Sequence, residues 1–120
     1  AVPKFPNFLT LASPYSYSGL SYFTTIESQM AHMTRLFTEM RRQGADVFEV
    51  TEDANTRFLD RMTANLDDSV FYGGSCSSAR SYYFNQHGEA ALLRPTSTAN
   101  AFAEARSFPL DDYRMESASV

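Results

Sequence analysis

The stretch Pro6-Asn7-Phe8-Leu9-Thr10-Leu11-Ala12-Ser13-Pro14 decides how the rest of the chain is read. Between its prolines, Asn7 to Ala12 is a nearly continuous apolar run with no alternation of polar and apolar positions. Such a run reads as a strand covered on both faces, the kind found in parallel sheets. It lies almost at the N-terminus, with nothing before it to pair with. The opening residues Ala1-Val2-Pro3-Lys4-Phe5 are neither an initiator methionine nor the basic, apolar start of a signal peptide. The expectation is therefore a chain that begins inside a longer one.

Beyond this run, Pro14 to Gly19 (Pro-Tyr-Ser-Tyr-Ser-Gly) is rich in turn residues, and Ser18 or Ser21 is placed to cap the next helix. From Ser21 to Gln43, Phe23, Ile26, Met30, Met33, Phe37 and Met40 recur at alternating steps of three and four. This predicts a long amphipathic helix with those residues on one stripe and Glu27, Arg35, Thr38, Arg41 and Arg42 off it. Arg41 and Arg42 suit the negative end of the helix dipole, and Gly44 is placed just beyond the last turn. Asp46 to Val50 reads as a short strand. Thr51 then caps a second helix whose apolar residues Ala54, Phe58, Met62 and Leu66 recur every four positions.

The remaining third is less regular. Gly73 to Ser78 is a loop of small residues. Ser81 to Phe84 and Glu89 to Arg94 read as the arms of a β-hairpin around Asn85-Gln86-His87-Gly88. Pro95 and Thr96 open a short helix to about Arg106. Phe108-Pro109-Leu110 continues as an extended tail, and the chain from Asp111 trails into polar residues. The fold class is α+β, with residues 1–113 as a single unit and 114–120 as a polar tail.

Composition supports one packed unit. The chain has 120 residues, 43% of them hydrophobic and 20% charged, and that suits a single domain rather than a disordered tail. The net charge of −4 argues against nucleic-acid or anionic-membrane binding, which wants clustered cations. No apolar run approaches the ~20 residues that span a bilayer. One cysteine, Cys76, excludes an intrachain disulfide and a multi-cysteine zinc site. Lys4 is the only lysine, which argues against lysine-based catalysis.

No complete catalytic motif is present. Gly73-Gly74-Ser75-Cys76-Ser77 lacks the second glycine of a nucleophile elbow, and neither G-x-x-x-x-G-K-[S/T] nor G-x-G-x-x-G occurs. Cys76 has only Arg80 nearby in sequence to stabilise a thiolate, so a packed thiol is expected. His32 and His87 share no metal-ligand spacing, and Asp67-Asp68 and Asp111-Asp112 read as solvated turn residues. The segment from Ser13 to Tyr22 is the one weighed toward function. In open α/β sheets ligands bind beyond the carboxyl ends of strands, and a helix N-terminus adds free N–H groups. Tyr15, Tyr17 and Tyr22 would add rings able to line a flat, partly polar ligand.

Several pieces in order carry a resemblance. They are Phe5-Pro6-Asn7-Phe8-Leu9, Ser13-Pro14-Tyr15, Ile26-Glu27-Ser28-Gln29, Ser75-Cys76-Ser77 before Ser81-Tyr82-Tyr83-Phe84, Asn85-Gln86-His87-Gly88, Leu93-Arg94-Pro95, and Phe108-Pro109-Leu110-Asp111-Asp112-Tyr113. Together they resemble the C-terminal region of FAD- and NADPH-dependent monooxygenases of the Baeyer–Villiger-like family. The resemblance implies that the N-terminal strand completes the parallel sheet of an FAD domain. The two amphipathic helices, the small hairpin and the short C-terminal helix would then pack over that domain. It implies that Pro14, Tyr15, Ser16, Tyr17, Ser18, Gly19 and Leu20 border the flavin or the substrate cavity.

In such a full-length enzyme, FAD and NADPH serve to insert one oxygen atom of O2 into an organic substrate. The glycine-rich nucleotide motifs and the family's tryptophan-containing fingerprint are absent, so the 120 residues alone are expected to bind neither cofactor and to be inactive. The implied partners are the N-terminal FAD/NADPH domains of a parent chain, a small organic substrate and O2, in the cytoplasm. Without those domains the chain is expected to self-associate, with edge pairing of the first strand as one route. The alternative is a stand-alone α+β binding or dimerisation module.

Overall fold

A computed structural model describes residues 1–19, 21–68, 72 and 82–118, and for Asp68 the backbone only. Its centre is helix α1, Tyr22–Gln43, which runs for 22 residues. Gly44 closes it in the left-handed conformation (φ 66°), its N–H returning to the Arg41 and Met40 carbonyls, as its position in the sequence predicts. Strand β1 (Val47–Val50) and helix α2 (Glu52–Thr63) come next. Thr51 caps α2 by accepting from the Ala54 N–H, with Glu52 and Asp53 in the favourable first turn. A single 3-10 turn, Leu66–Asp68, succeeds α2.

Helix α3 spans Thr98–Ser107, and its cap is Ser97 rather than the expected Pro95-Thr96 opening. The Ser97 hydroxyl accepts from the Asn100 N–H, so the first turn is set two residues later. α3 packs on α1.

The expected tail is also different. After a 3-10 turn at Leu110–Asp112, Tyr113–Glu116 forms strand β2, antiparallel to β1, with Phe48 opposite Met115 and Val50 opposite Tyr113. Arg114 to Glu116 thus belong to the sheet. Tyr113 and Met115 are partly covered while Arg114 and Glu116 are exposed, a period of two over too few residues to stand out in sequence.

The N-terminal strand is corrected as well. Asn7 to Ala12 forms no strand: Asn7 (φ 57°) and Ala12 (φ 48°) both lie in the left-handed region, which breaks an extended path. Asn7 instead covers the free edge of β1. Its N–H donates to the Phe48 carbonyl at 2.9 Å, its side-chain oxygen accepts from the Phe48 N–H at 3.0 Å, and its Nδ2 donates to the Asp46 carbonyl at 3.1 Å. One asparagine pairs with the edge of β1 where a third strand would otherwise lie.

The hairpin at Ser81 to Arg94 is replaced by a tight loop; Ser81 itself lies outside the described residues. The Asn85 side chain accepts from the His87 and Glu89 N–H groups, and the Asn85 N–H donates to the Glu89 carbonyl. Past this turn, Ala91 to Arg94 pairs with the loop before α1, through a single parallel bridge between Tyr17 and Leu93.

The core is small. Leu36 and Met62 are fully buried, with Phe48, Met33, Tyr15, Leu93, Ala54, Ala90 and Ala105 close behind. Rings at Phe37, Phe48, Tyr113, His32, Phe108 and Phe58 touch in succession at centroid distances of 5.6–6.2 Å, linking α1, both strands and α2. The body measures 57 × 26 × 21 Å with a radius of gyration of 16.0 Å, against about 13–14 Å for a compact chain of this length. Its 7930 Å² of accessible surface exceeds the roughly 6,500 Å² typical of a monomer of this mass. No described helix is long and apolar enough to cross a membrane.

Candidate functional site

The segment weighed toward function is held against the chain's own C-terminal half. Tyr15 N–H donates to the Ala91 carbonyl at 2.6 Å, Tyr17 N–H to Leu92 at 3.1 Å, and Arg94 N–H to the Tyr17 carbonyl at 2.7 Å. These bonds over-determine a backbone that the residues alone would not choose. Tyr15 sits at φ 57°, a left-handed conformation that costs a non-glycine residue roughly 1–2 kcal/mol. Gly19 (φ 87°) then turns the chain into α1 at no such cost.

Arg94 is the anchor of this junction. Its side chain is 6% exposed and makes an ion pair with Glu104 of α3. Its Nε donates to Thr96 Oγ1 at 2.7 Å, and its Nη1 reaches the Tyr15 carbonyl at 3.5 Å. Glu104 also accepts from Arg61 of α2 at 3.2 Å, and that guanidinium lies 5.8 Å from both the Phe58 and Phe108 ring centres. A buried cation with several fitted acceptors fixes orientation more than it adds stability. Here it ties the loop, α2 and α3 to one another. Thr98 of α3 completes the clasp by donating to Ser18 Oγ at 3.0 Å.

The predicted site residues therefore divide. Pro14 and Gly19 are exposed, and Ser16, Tyr17 and Ser18 are half-buried. Tyr15 is buried in the core, and burial raises its hydroxyl above the usual tyrosine range, with Glu89 adding to the shift. Its ring is thus withdrawn from any ligand. Ser16 Oγ is buried and makes no hydrogen bond among the described residues. Leu20 lies outside the described residues, as do Gly73 to Ser78 with Cys76, and Arg80. Ser21 stands at the N-cap of α1 but makes no side-chain cap bond, and the first turn carries no acid. The leading N–H groups of α1 are left without a capping side chain.

His32 occupies a second polar site. Its Nε2 lies 2.8 Å from the Tyr113 hydroxyl, and its ring stands edge-on to Phe108. Burial, then Arg35 and the N-terminal amine, push its pKa down to about 4, while burial raises Tyr113 to about 12. His32 is therefore neutral at pH 7. His32 Nδ1 and Arg35 Nη1 are buried without a hydrogen-bond partner among the described residues.

Other expectations resolve simply. His87 is a turn residue. Asp112 is not merely solvated, since it accepts from Arg57 at 2.5 Å. A surface depression lined by Lys4, Glu49, Thr51, Glu52, Asp53 and Arg114 is closed on itself electrostatically, with Lys4 on Glu52 at 2.7 Å and Arg114 on Glu49 at 3.2 Å. Among the described residues no three side chains gather to hold a metal ion. Sequence reasoning missed Arg94, Glu104 and Asn7 as organising residues. The available signal was a lone arginine before Pro95 and a glutamate ten positions on, inside an otherwise alanine-rich helix.

Comparisons with protein-family models, with curated proteins and with solved structures found no match.

Proposed function

We propose that the chain is the C-terminal segment of a cytoplasmic FAD- and NADPH-dependent monooxygenase, walling part of its active site. The observation that carries this reading is the fixed Pro14–Gly19 loop delivered to the bare first turn of α1. The ordered string of motifs from Phe5 to Tyr113 supports it from the sequence side.

The residues fit one polar edge of a flat ring. The leading N–H groups of α1 carry the positive end of a helix dipole, whereas Ser16 Oγ is buried and presents no surface to a ligand. Tyr15 does not take part. When bound, FAD reduced by NADPH supplies the oxygen-transfer chemistry. This chain's residues position and exclude water: Arg94, Thr98 and the Ala91–Leu93 backbone hold the loop, and α1 presents its donors. In the same proposal the exposed Phe8 and Leu11 are covered by the parent's N-terminal domains.

Sequencing the transcript upstream of Ala1 tests the reading. A continuous frame carrying G-x-G-x-x-G supports it, and a start codon immediately before this sequence contradicts it. The isolated 120 residues are expected to be colourless and inert with NADPH. Tight FAD binding by them would place the phosphate cradle here instead.

A second reading, a dimerisation module, is favoured by one specific observation, the apolar row exposed on α1.

A further inference from the structure

The two edges of the small sheet are finished differently. Along β1 the outer edge is occupied, because Asn7 bonds both backbone groups of Phe48 and the Asp46 carbonyl. Along β2 it is open. The register sets Glu49 opposite Arg114 and Val50 opposite Tyr113, and Thr51 N–H donates to the Asp112 carbonyl. In an antiparallel pair bonding alternates, so Arg114 and Glu116 turn their backbone groups toward β1 and Met115 turns its own away. The Met115 N–H and C=O make no hydrogen bond among the described residues, and neither do the Tyr113 carbonyl and the Ser117 N–H. Ser117 Oγ donates to the Gly44 carbonyl at 2.8 Å, which draws the departing chain toward the start of β1 and off this edge.

We infer that the open edge of β2 pairs with β2 of a second copy, antiparallel, about a twofold axis at Met115.

The strand itself selects that occupant. With the axis at Met115, each Met115 N–H donates to the partner's Met115 carbonyl, and each Ser117 N–H to the partner's Tyr113 carbonyl. Arg114 then stands directly opposite the partner's Glu116, twice, at the non-hydrogen-bonded positions where side chains lie closest. Both residues are exposed on the outer face, and Glu116 makes no ion pair among the described residues. Arg114 already rests on Glu49 at 3.2 Å. The pairing extends this contact into a row of alternating sign: Glu49, Arg114, the partner's Glu116.

Other arrangements lose this match. An axis moved one residue, to Arg114 or to Glu116, sets that charge opposite itself. An axis at Tyr113 needs an N–H already given to the Leu110 carbonyl. A parallel copy in register stacks Arg114 on Arg114 and Glu116 on Glu116.

The layers fit as well. At about 4.8 Å between strands, β1 and β2 span roughly the 10 Å diameter of one helix. That helix is α1, which meets Phe48 through Phe37 and Tyr113 through His32. Two copies therefore give a four-stranded sheet β1-β2-β2-β1 carrying two helices on one face, with Asn7 closing both outer edges. A ribbon of two short strands is marginal alone and gains from further strands. The inference does not rest on the flavin reading.

The test is a concentration series on the 120-residue chain, read by sedimentation equilibrium and by amide exchange. A strand-edge contact belongs to the small, transient class of interface, so a dissociation constant on the order of 0.1–1 mM is expected. The Met115 amide is expected to exchange freely in dilute protein and to become protected as the dimer forms. R114E and E116R, each alone, set like charges opposite one another at both contacts and are expected to weaken dimerisation roughly tenfold. Their equimolar mixture restores both contacts in a heterodimer and recovers the wild-type affinity. M115P removes an N–H that faces away from β1 and is expected to stay monomeric with its helical circular dichroism unchanged. A wild-type chain still monomeric at about 1 mM overturns the inference. So does a dimer in which the Met115 amide stays unprotected, or one that the two charge reversals leave intact or their mixture fails to rescue.

Discussion

The two faces of α1 differ in the direction opposite to the usual rule. The inner face buries Thr25 and Ser28 beside Met33 and Leu36, and the outer face exposes Phe23, Met30 and Phe37. The polar inner residues are tolerated because they are satisfied within the helix, Ser28 Oγ on the Thr25 carbonyl at 2.9 Å and Thr25 Oγ1 on the Ser21 carbonyl at 3.4 Å. The outer face has no such account within one chain. Its apolar row, Phe23, Met30 and Phe37, is left in solvent.

Neighbouring residues give the most severe test of this contrast. Leu36 is fully buried and Phe37 half exposed. Leu36→Ala is expected to cost about 3 kcal/mol of folding stability in urea melts. Equal losses for Leu36→Ala and Phe37→Ala would abolish the distinction between the faces. Arg94→Met, which strips Glu104 and the Tyr15 carbonyl of a buried partner, is expected to cost about 2–4 kcal/mol. Its amide exchange should rise first at Tyr15 and Tyr17; a neutral result would mean that Arg94 does not hold the loop.

Acid titration probes the inner face. His32 has a folded pKa of about 4 against an ordinary 6.5, so the unfolded chain binds more protons between those values. Stability is full above pH 6.5 and falls as pH drops toward 4. Allowing for solvent screening at a half-buried site, the loss is about 1–2 kcal/mol. His32→Phe should flatten that slope, and an unchanged slope would assign it to carboxylates. Asn7→Ala, which uncovers the edge of β1, is expected to cost about 1–2 kcal/mol. Phe37→Ala is the smallest effect, under about 1 kcal/mol on folding, measured in dilute monomer.

The elements that local chemistry decides were legible in the sequence. α1 with Gly44, the Thr51 cap and α2, and β1 all arise from spacing and capping residues. What was not legible depended on partners distant in sequence. Asn7 to Ala12 has the composition of a strand, but Asn7 folds back because its side chain finds Phe48, 41 residues away. Tyr113 to Glu116 looks like a polar tail because a strand of four residues with one covered face carries little pattern. Of the candidate site, the loop before α1 was legible from its turn residues and position. Burial of Tyr15 and the anchoring role of Arg94 arise only when Ala91 to Arg94 pairs with that loop. The α1 stripe was read with the correct period, yet periodicity reports which residues share a face and not what covers it.

Methionine oxidation reads both faces of α1 in one experiment, because sulfoxide formation tracks exposure. The chain is treated with dilute hydrogen peroxide at low protein concentration, and each site is quantified by mass spectrometry. Met30 is expected to oxidise fastest. Met33 and Met62 should stay slow. If Met33 oxidises as fast as Met30, the contrast between the two faces fails.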